Sequence, residues 1–400
     1  MSSGSYPLAA SQPAIVPASR RISAALILLG IGHFFVDVYR SALAALQPHL
    51  ATRMGLNLTE AGFLAGLFVF ANSVTQPGFG YLSDKLHSQL FTTLAPAVAG
   101  LGVALVGLAP NYGLVMLLAV LGGLGISSFH PQASARATAG MEHNKPFWMA
   151  VFISSGTLGL ALGPTFFAGI IDWFGLDSSW LGAIPGVLVS GLLLLYLPEL
   201  EGSQGKRQSF AIEPLRQVWK PLTILYFLVF IRSIVQVTFT QFLPLYLTQE
   251  RGFRVTEASQ ALSLYLACGA LGGFTGGTIA NRLGGRTTIL ISMIGSVPFL
   301  ALFFLTTGWL SLLGLALGGL VLLFTIPVNV LMGQQLAPGQ AGTVSALMMG
   351  FAWGMAGFLF IPLIGGISAV TGLHNALFSL VAFPIAGFVL TLFYPKEKRA

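Results

Sequence analysis

Charged residues are scarce in this sequence: Asp, Glu, Lys and Arg together make up 8% of its 400 residues. A soluble domain carries about 25% charged residues, because these form its hydrated surface. Hydrophobic residues make up 55% of the chain. They occur in long runs, not in the alternating segments of about ten residues that a membrane β-barrel requires. The composition therefore excludes a soluble protein and predicts a helical protein embedded in a lipid bilayer.

The sequence also lacks the motifs of several enzyme and binding classes. Its single cysteine, Cys268, excludes a disulfide within the chain. It has no Walker A loop, no Cys or His spacing typical of a metal site, and no Gly-x-Ser-x-Gly. Gly123-Leu124-Gly125 lies in an apolar run instead of after a soluble strand, which argues against a dinucleotide site. We therefore predict no ATP hydrolysis, no cofactor, no bound metal and no enzyme activity.

Twelve apolar runs are each long enough to cross a bilayer as a helix, which takes about 20 residues. Polar and turn-forming residues, such as Pro110-Asn111, separate them. The fold class predicted is an all-α membrane protein with twelve transmembrane helices. The predicted helices cover 22–46, 60–82, 90–109, 113–133, 147–171, 178–197, 221–247, 257–280, 287–307, 309–332, 341–369 and 374–394.

The basic residues predict on which side of the membrane each loop lies. The net charge of +7 would suggest nucleic-acid binding in a soluble protein. If both ends are cytoplasmic, fourteen of the nineteen Lys and Arg residues fall on cytoplasmic segments, as the positive-inside rule requires. The charge therefore indicates orientation, with no nucleic acid as partner. We predict a multi-pass protein of the inner (plasma) membrane with both termini in the cytoplasm.

The chain divides into two halves of six helices each. The long polar stretch 198–220 separates them, and Gly80-Tyr-Leu-Ser-Asp-Lys-Leu86 has a counterpart, Gly277-Thr-Ile-Ala-Asn-Arg-Leu283, 197 residues later. Parallel repeats related by an axis along the membrane normal are a transporter architecture. We predict a disordered cytoplasmic tail at 1–19, bundles at 20–197 and 221–400, and a central cytoplasmic loop at 198–220.

The repeated segment resembles the signature of the major facilitator superfamily, roughly Gly-x-x-x-Asp-Arg/Lys-x-Gly-Arg-Arg/Lys. The first copy lacks the later basic residues, and the second has Asn281 in place of the acid. The resemblance implies the facilitator fold, in which two six-helix halves rock around a central site, and a gate in which this loop pairs charges. The gate residues implied are Gly80, Asp84, Lys85, Gly277, Arg282 and Arg286.

The fifth predicted helix carries a run of small residues followed by proline: Gly156, Gly159, Gly163 and Pro164. Small residues allow two membrane helices to approach closely, and proline bends a helix. The run resembles the Gly-x-x-x-Gly-Pro pattern that exporters of the superfamily show on this helix.

Two further stretches resemble the fosmidomycin-resistance branch of the superfamily. They are His33-Phe-Phe-Val-Asp37 in the first helix and Gly125-Ile-Ser-Ser-Phe-His-Pro131 in the fourth. The resemblance implies drug efflux driven by the proton gradient. The acid that often follows the His-Pro pair in the branch is replaced here by Gln132 and Ala133.

A few polar residues interrupt the apolar runs, and they fall on the first, fourth, seventh and tenth helices. Such residues are costly in a bilayer and are functional candidates by default. His33, Asp37 and Arg40 share one face of the first helix, because their spacing of four and three residues matches the helical turn. In the facilitator fold these four helices line the central cavity. The other candidates are His130, Arg232, Gln236 and Asn329.

Asp37 is the one acid well inside a predicted span, and we expect it to load and release the coupling proton with His33 as partner. Burial favours the neutral carboxyl and a nearby cation favours the carboxylate, so its state can change with its surroundings. The alternative is a static Asp37–Arg40 ion pair.

Arginine suits anions because its fork donates two parallel hydrogen bonds. Arg40 and Arg232 are therefore predicted to bind substrate, together with Gln236, His130 and Asn329. The alternative for Arg232 is that it neutralises Asp37 across the cavity.

The function predicted is proton-coupled export of a small organic solute, anionic or drug-like, by alternating access. The partners expected are the solute, protons and the lipid bilayer, and the protein is expected to be a monomer. One alternative is proton-coupled uptake or facilitated diffusion of a metabolite. Another is a membrane sensor or enzyme that has kept a transporter scaffold.

Overall fold

Residues 18–86, 88–137, 145–198 and 212–395 are described by the structure, a computed structural model, and in these ranges the chain is helical with no strand. Residues 1–17 of the predicted tail, most of the central loop and the last five residues lie outside the described residues. Within the described ranges, twelve helices are long and apolar enough to cross a membrane, as the sequence predicts. The spans, numbered α1 to α12, are Ala24–Met54, Leu58–Ser83, Leu90–Leu108, Tyr112–Ala137, Trp148–Phe174, Leu176–Tyr196, Trp219–Glu250, Val255–Leu283, Gly285–Leu305, Gly308–Leu336, Thr343–Thr371 and Leu373–Leu392.

The first helix is longer than predicted. It runs from Ala18 to Met54 and continues through Pro48, whereas hydropathy ends the prediction at residue 46. The extension begins with polar residues, which explains the early end. Gln47 is 2% exposed and donates a hydrogen bond of 3.4 Å to the Ala61 carbonyl, so the start of the extension packs against α2.

Two of the spans contain a π-helical segment. In α2 this segment is Phe70–Val74, and in α11 it is Ala346–Ala352. A π-helical turn widens the helix by one residue, and such turns occur frequently at functional sites.

The two halves meet along α2 and α11, along α5 and α8, and along α1 and α7. We call the side where α1 begins and α12 ends the chain-end side, and the opposite side the far side. Near the far side, a methyl group on Gly62 would lie 3.0 Å from the Ile361 carbonyl oxygen. The hydroxyls of Thr165 and Ser263 are 2.7 Å apart. The halves therefore pack closely from mid-span to the far side.

The predicted gate residues lie at the chain-end side of α2 and α8, except Arg286, which lies in the first turn of α9. Lys85 and Arg282 are exposed, and the side chain of Asp84 is outside the described part of the structure. Arg286 donates hydrogen bonds to the carbonyls of Tyr394, at 3.0 Å, and Leu392, at 3.2 Å. A cation at the carbonyl end of a helix is favourable, so Arg286 stabilises the end of α12 within its own half. The gate role of this motif stays a prediction.

Candidate functional site

Four predicted residues from two helices meet in the first half. Asp37 of α1 is 6% exposed, and its two carboxylate oxygens face both histidines. Oδ2 lies 3.4 Å from Nε2 of His33, and Oδ1 lies 3.4 Å from Nε2 of His130 in α4. Nη1 of Arg40 is 3.8 Å from Oδ1. We call His33, Asp37, Arg40 and His130 the Asp37 cluster.

Backbone carbonyls fix the orientation of both histidine rings. Nδ1 of His33 lies 2.8 Å from the Phe152 carbonyl, and Nδ1 of His130 lies 2.9 Å from the Ile126 carbonyl. A carbonyl oxygen only accepts hydrogen bonds, so each Nδ1 must carry the hydrogen. In a neutral imidazole the other nitrogen is then a bare acceptor. Both Nε2 atoms therefore direct lone pairs towards a carboxylate, which also has only lone pairs.

This arrangement is stable only if something supplies a donor between the facing atoms. Asp37 Oδ1 and His130 Nε2 are buried and have no hydrogen-bond partner. Leaving a buried polar atom unsatisfied costs about 1–3 kcal/mol. A proton on either atom, or a donor group on a bound molecule, would satisfy both. The cluster therefore has the geometry of a proton-binding site.

Access to the cluster lies on the side of Arg40 and His130. Their side chains are 18% and 19% exposed, compared with 8% for Asp37 and 9% for His33. The cluster is therefore most exposed at these two side chains.

The cluster also resembles a metal site, which the sequence spacing does not suggest. Ligand atoms of His33, Asp37 and His130 all lie within 4.8 Å of one another. The guanidinium of Arg40 is already next to the carboxylate, however, and a like charge there opposes a divalent cation. A single proton adds less positive charge than a divalent cation and therefore fits this site better.

The glycines of α5 allow α1 to pack closely against this helix. A methyl group on Gly159 would overlap the Phe34 carbonyl, and one on Gly163 would overlap the hydroxyl of Ser41. A methyl on Gly156 would overlap His33 and lie 2.6 Å from Asp37 Oδ2. The run of small residues therefore brings α5 directly against the Asp37 cluster.

Gly156→Ala is expected to lower the stability of the purified protein by about 1–3 kcal/mol, the usual cost of overpacking. The added methyl must push His33 and Asp37 apart. Thermal unfolding in detergent measures the effect. Gly169→Ala, on the same helix with nothing within 4 Å of the added methyl, is the matched control and should be neutral or slightly stabilising. Equal effects of the two substitutions would contradict this packing.

In the second half, Arg232 and Gln236 of α7 form a pair. Nη1 of Arg232 donates to the side-chain oxygen of Gln236. Arg232 is 5% exposed, and no carboxylate of the described residues lies in ion-pair range of it. Asp37 pairs with His33, Arg40 and His130, so in this arrangement Arg232 does not neutralise it. Arg232 is thus a buried cation without a counter-ion among the described residues.

Asn329 of α10 is fully buried. Neither its amide nitrogen nor its amide oxygen has a hydrogen-bond partner. The structure brings it into no hydrogen bond with Arg232 or with the Asp37 cluster. Substrate binding stays a prediction for all five candidates, which are Arg40, Arg232, Gln236, His130 and Asn329.

Sequence reasoning missed the aromatic residues around the cluster. The ring of His33 stacks on Phe152 at 4.3 Å between centroids and lies 6.1 Å from Phe129. The guanidinium carbon of Arg40 lies 4.1 Å from the ring centroid of Trp353. Aromatic residues are common throughout these spans and give no separate signal. Only Phe129, next to His130, could have been singled out.

Twelve spans in two halves of six helices, described in ranges that cover most of the chain, have the architecture of a membrane transporter. A family model described as Major Facilitator Superfamily matches residues 29–361, and the chain belongs to this family. The family consists of transporters and not of enzymes, so the enzyme alternative is removed.

Relatives match nearly the whole chain. The fosmidomycin resistance protein of Escherichia coli K12 is 29% identical over 92% of this chain and 92% of its own length. An uncharacterised MFS-type transporter of Bacillus subtilis, YfnC, is 28% identical over 94% of this chain and 93% of its own. A probable sulfoacetate transporter of Cupriavidus necator, SauU, is 22% identical over 92% of its length and 93% of this chain.

Solved structures show the same fold at low identity. A bacterial homologue of the human lysosomal transporter Spinster, in an inward-facing and occupied conformation, has a TM-score of 0.78 and 15% identity and covers 93% of this chain and 96% of its own. A point mutant of the nucleoside transporter NupG has a TM-score of 0.75 and 14% identity and covers 93% of this chain and 100% of its own. These likenesses establish the facilitator fold.

Proposed function

We propose that this protein exports a small organic solute, anionic or amphipathic, in exchange for protons by alternating access. The observation that carries the proposal is the Asp37 cluster, in which two acceptor nitrogens face one carboxylate. Such a site binds a proton when water reaches it and releases the proton when its surroundings change.

Exchange requires the proton and the solute to exclude each other. Asp37 Oδ1 and His130 Nε2 lack a hydrogen-bond partner, and a donor group on a solute can satisfy the same two atoms as a proton can. Competition for this position is the physical basis for antiport.

The export direction rests on a relative. The Escherichia coli protein is named for resistance to fosmidomycin, and removal of a compound from the cell is how a membrane transporter of this fold gives resistance. The anionic class of the solute rests on Arg232, because a buried guanidinium is strongly stabilised by an anion that accepts two of its hydrogen bonds.

A second candidate, proton-coupled uptake of an anion, is favoured by the charge balance. Ionised Asp37 offsets Arg40, and Arg232 has no counter-ion among the described residues, so this set of three carries a net charge of +1. A proton in the cluster raises it further. An anion and a proton would then strengthen each other's binding, which is typical of cotransport in one direction.

Proton release on ligand binding tests the proposal. Purified protein in weakly buffered detergent is screened by thermal shift against fosmidomycin, sulfoacetate, simple phosphonates and carboxylates, and lipophilic drugs, because a ligand of the native state raises the melting temperature. A pH indicator then reports protons released when the best ligand is added. Release supports antiport, uptake of protons supports the second candidate, and no proton exchange contradicts both. A non-transporting sensor would bind but fail to move the ligand in proteoliposomes.

We further propose that the chain-end side is cytoplasmic and that the protein lies in the inner (plasma) membrane. In a Cys268→Ala background, Lys85→Cys at the chain-end side and Thr307→Cys at the far side are both exposed positions. A membrane-impermeant maleimide should label Thr307→Cys in right-side-out vesicles and Lys85→Cys only in inverted ones. The reverse pattern would contradict the orientation drawn from the basic residues.

A further inference from the structure

Arg40 is in contact with both halves of the protein. Its guanidinium carbon lies 4.1 Å from the ring centroid of Trp353 in α11, well inside the distance at which a cation is attracted to an aromatic face. The same guanidinium lies 3.8 Å from Asp37 Oδ1 and donates a hydrogen bond of 3.5 Å to the Ser73 hydroxyl in α2. One side chain therefore joins the Asp37 cluster to the opposite half.

The backbone around this contact is π-helical in both halves. Ser73 lies within the π segment of α2, and Trp353 directly follows the π segment of α11. A methyl group on Gly350, inside the π segment of α11, would lie 3.9 Å from the Ser73 carbonyl oxygen, and one on Gly354 would lie 2.9 Å from Ser73 Cβ, so the two segments pack against each other. A π turn differs from an α turn by one residue of hydrogen-bond register. The contact thus lies beside a change of hydrogen-bond register in both helices.

The charge of the Asp37 cluster determines how strongly Arg40 stacks on Trp353. Its only carboxylate partner among the described residues is Asp37, and the other titratable groups at this point are His33 and His130. Ser73 and Trp353 are neutral, α5 has no charged residue between 148 and 171, and Arg232 of α7 is held by Gln236. When the cluster binds a proton, Arg40 loses its compensating charge.

Keeping a guanidinium buried without a counter-ion costs more free energy than one cation–π contact contributes. Since Arg40 is partly exposed, it can turn towards water instead. Proton binding therefore favours release of Arg40 from the Trp353 ring, and ionised Asp37 favours the stacked arrangement.

We propose that Trp353 is the positioning residue through which the proton state of the Asp37 cluster acts on the second half. Stacking of Arg40 on Trp353 holds α1 against α11 while Asp37 is ionised, and proton binding releases this latch. The proposal rests on the proposed proton coupling. It goes beyond that coupling by naming the contact through which proton binding changes the packing of the two halves.

The test measures conformation, without any solute. Spin labels replace Leu86 and Leu283, which are exposed at the chain-end sides of α2 and α8, in the full chain with Cys268→Ala in lipid nanodiscs. Distances between the labels are recorded at about pH 5 and about pH 9, on either side of the ordinary titration range of histidine. We expect the distribution to change with pH in the otherwise unmodified protein, and Asp37→Asn to give the low-pH distribution at both values.

Substitutions of Trp353 then isolate the latch. Trp353→Leu should lose the pH-dependent change, and Trp353→Phe, which keeps an aromatic face, should retain part of it. Trp309→Leu, at an exposed position near the start of α10, is the control and should behave like the unmodified protein. If Trp353→Leu does not fold, Arg40→Lys in its place removes the planar group that stacks and should also reduce the change.

An unchanged pH response in Trp353→Leu or in Arg40→Lys would overturn the latch. No pH response in the unmodified protein would overturn it as well, while gradient-driven transport could still be present. A pH response that requires Trp353, in a protein without gradient-driven transport, would instead support the latch and contradict the proposed function.

Discussion

Asp37→Asn is expected to abolish transport driven by a pH gradient while leaving exchange of labelled for unlabelled solute intact. Asparagine keeps the shape of the side chain but binds no proton, and it removes the carboxylate that faces His33 and His130. One proton moving across one pH unit supplies about 1.4 kcal/mol, equivalent to about a tenfold solute gradient. The variant should therefore lose an approximately tenfold accumulation in proteoliposomes with a gradient of about one unit.

The control for this substitution is Asp177→Asn. Asp177 is an exposed acid that pairs with Arg53 at the far side, away from the cluster. The control variant should transport like the unmodified protein. Gradient-driven accumulation that persists in Asp37→Asn would show that Asp37 forms only a static ion pair with Arg40.

Arg232→Ala is expected to weaken binding of an anionic ligand by about 10- to 100-fold. Hydrogen bonds to a charged group contribute about 1.5–3 kcal/mol, and about 1.4 kcal/mol corresponds to a factor of ten in affinity. Thermal shift and equilibrium binding with the best anion from the screen measure the loss. Arg232→Lys keeps the charge without the planar fork, so its affinity for the anion should lie between those of the unmodified protein and Arg232→Ala.

Arg53→Ala serves as the matched control, because Arg53 is a partly exposed arginine of the far side. Loss of anion binding in Arg40→Ala but not in Arg232→Ala would move the substrate site to α1. Equal affinity in both arginine variants and the unmodified protein would contradict an anionic substrate.

The sequence predicts the helices well because a bilayer imposes strong constraints. Each span must satisfy its own backbone hydrogen bonds and present apolar side chains, so length and hydropathy locate all twelve. The prediction is poorest where protein replaces lipid as the neighbour, as at Gln47 in the polar extension of α1. The π-helical segments of α2 and α11 leave no mark in the hydropathy pattern.

Part of the site is also predictable from the chain alone. Helical spacing places His33, Asp37 and Arg40 on one face, and these three do lie together. That His130 completes the cluster depends on how α4 packs against α1, which spacing along one helix cannot give. The ring orientations that leave two acceptors facing Asp37 depend on the carbonyls of Phe152 and Ile126, which have no sequence signal at all.

Transport in the unmodified protein under opposite pH gradients tests proton exchange most directly. Proteoliposomes are loaded with equal internal and external concentrations of the best ligand from the screen, with the membrane potential clamped at zero. Exchange predicts that the ligand accumulates in an acidic lumen, by up to about tenfold for a gradient of one pH unit, and leaves an alkaline one. Accumulation in an alkaline lumen would contradict export by exchange in favour of cotransport, and equal concentrations under both gradients would contradict proton coupling altogether.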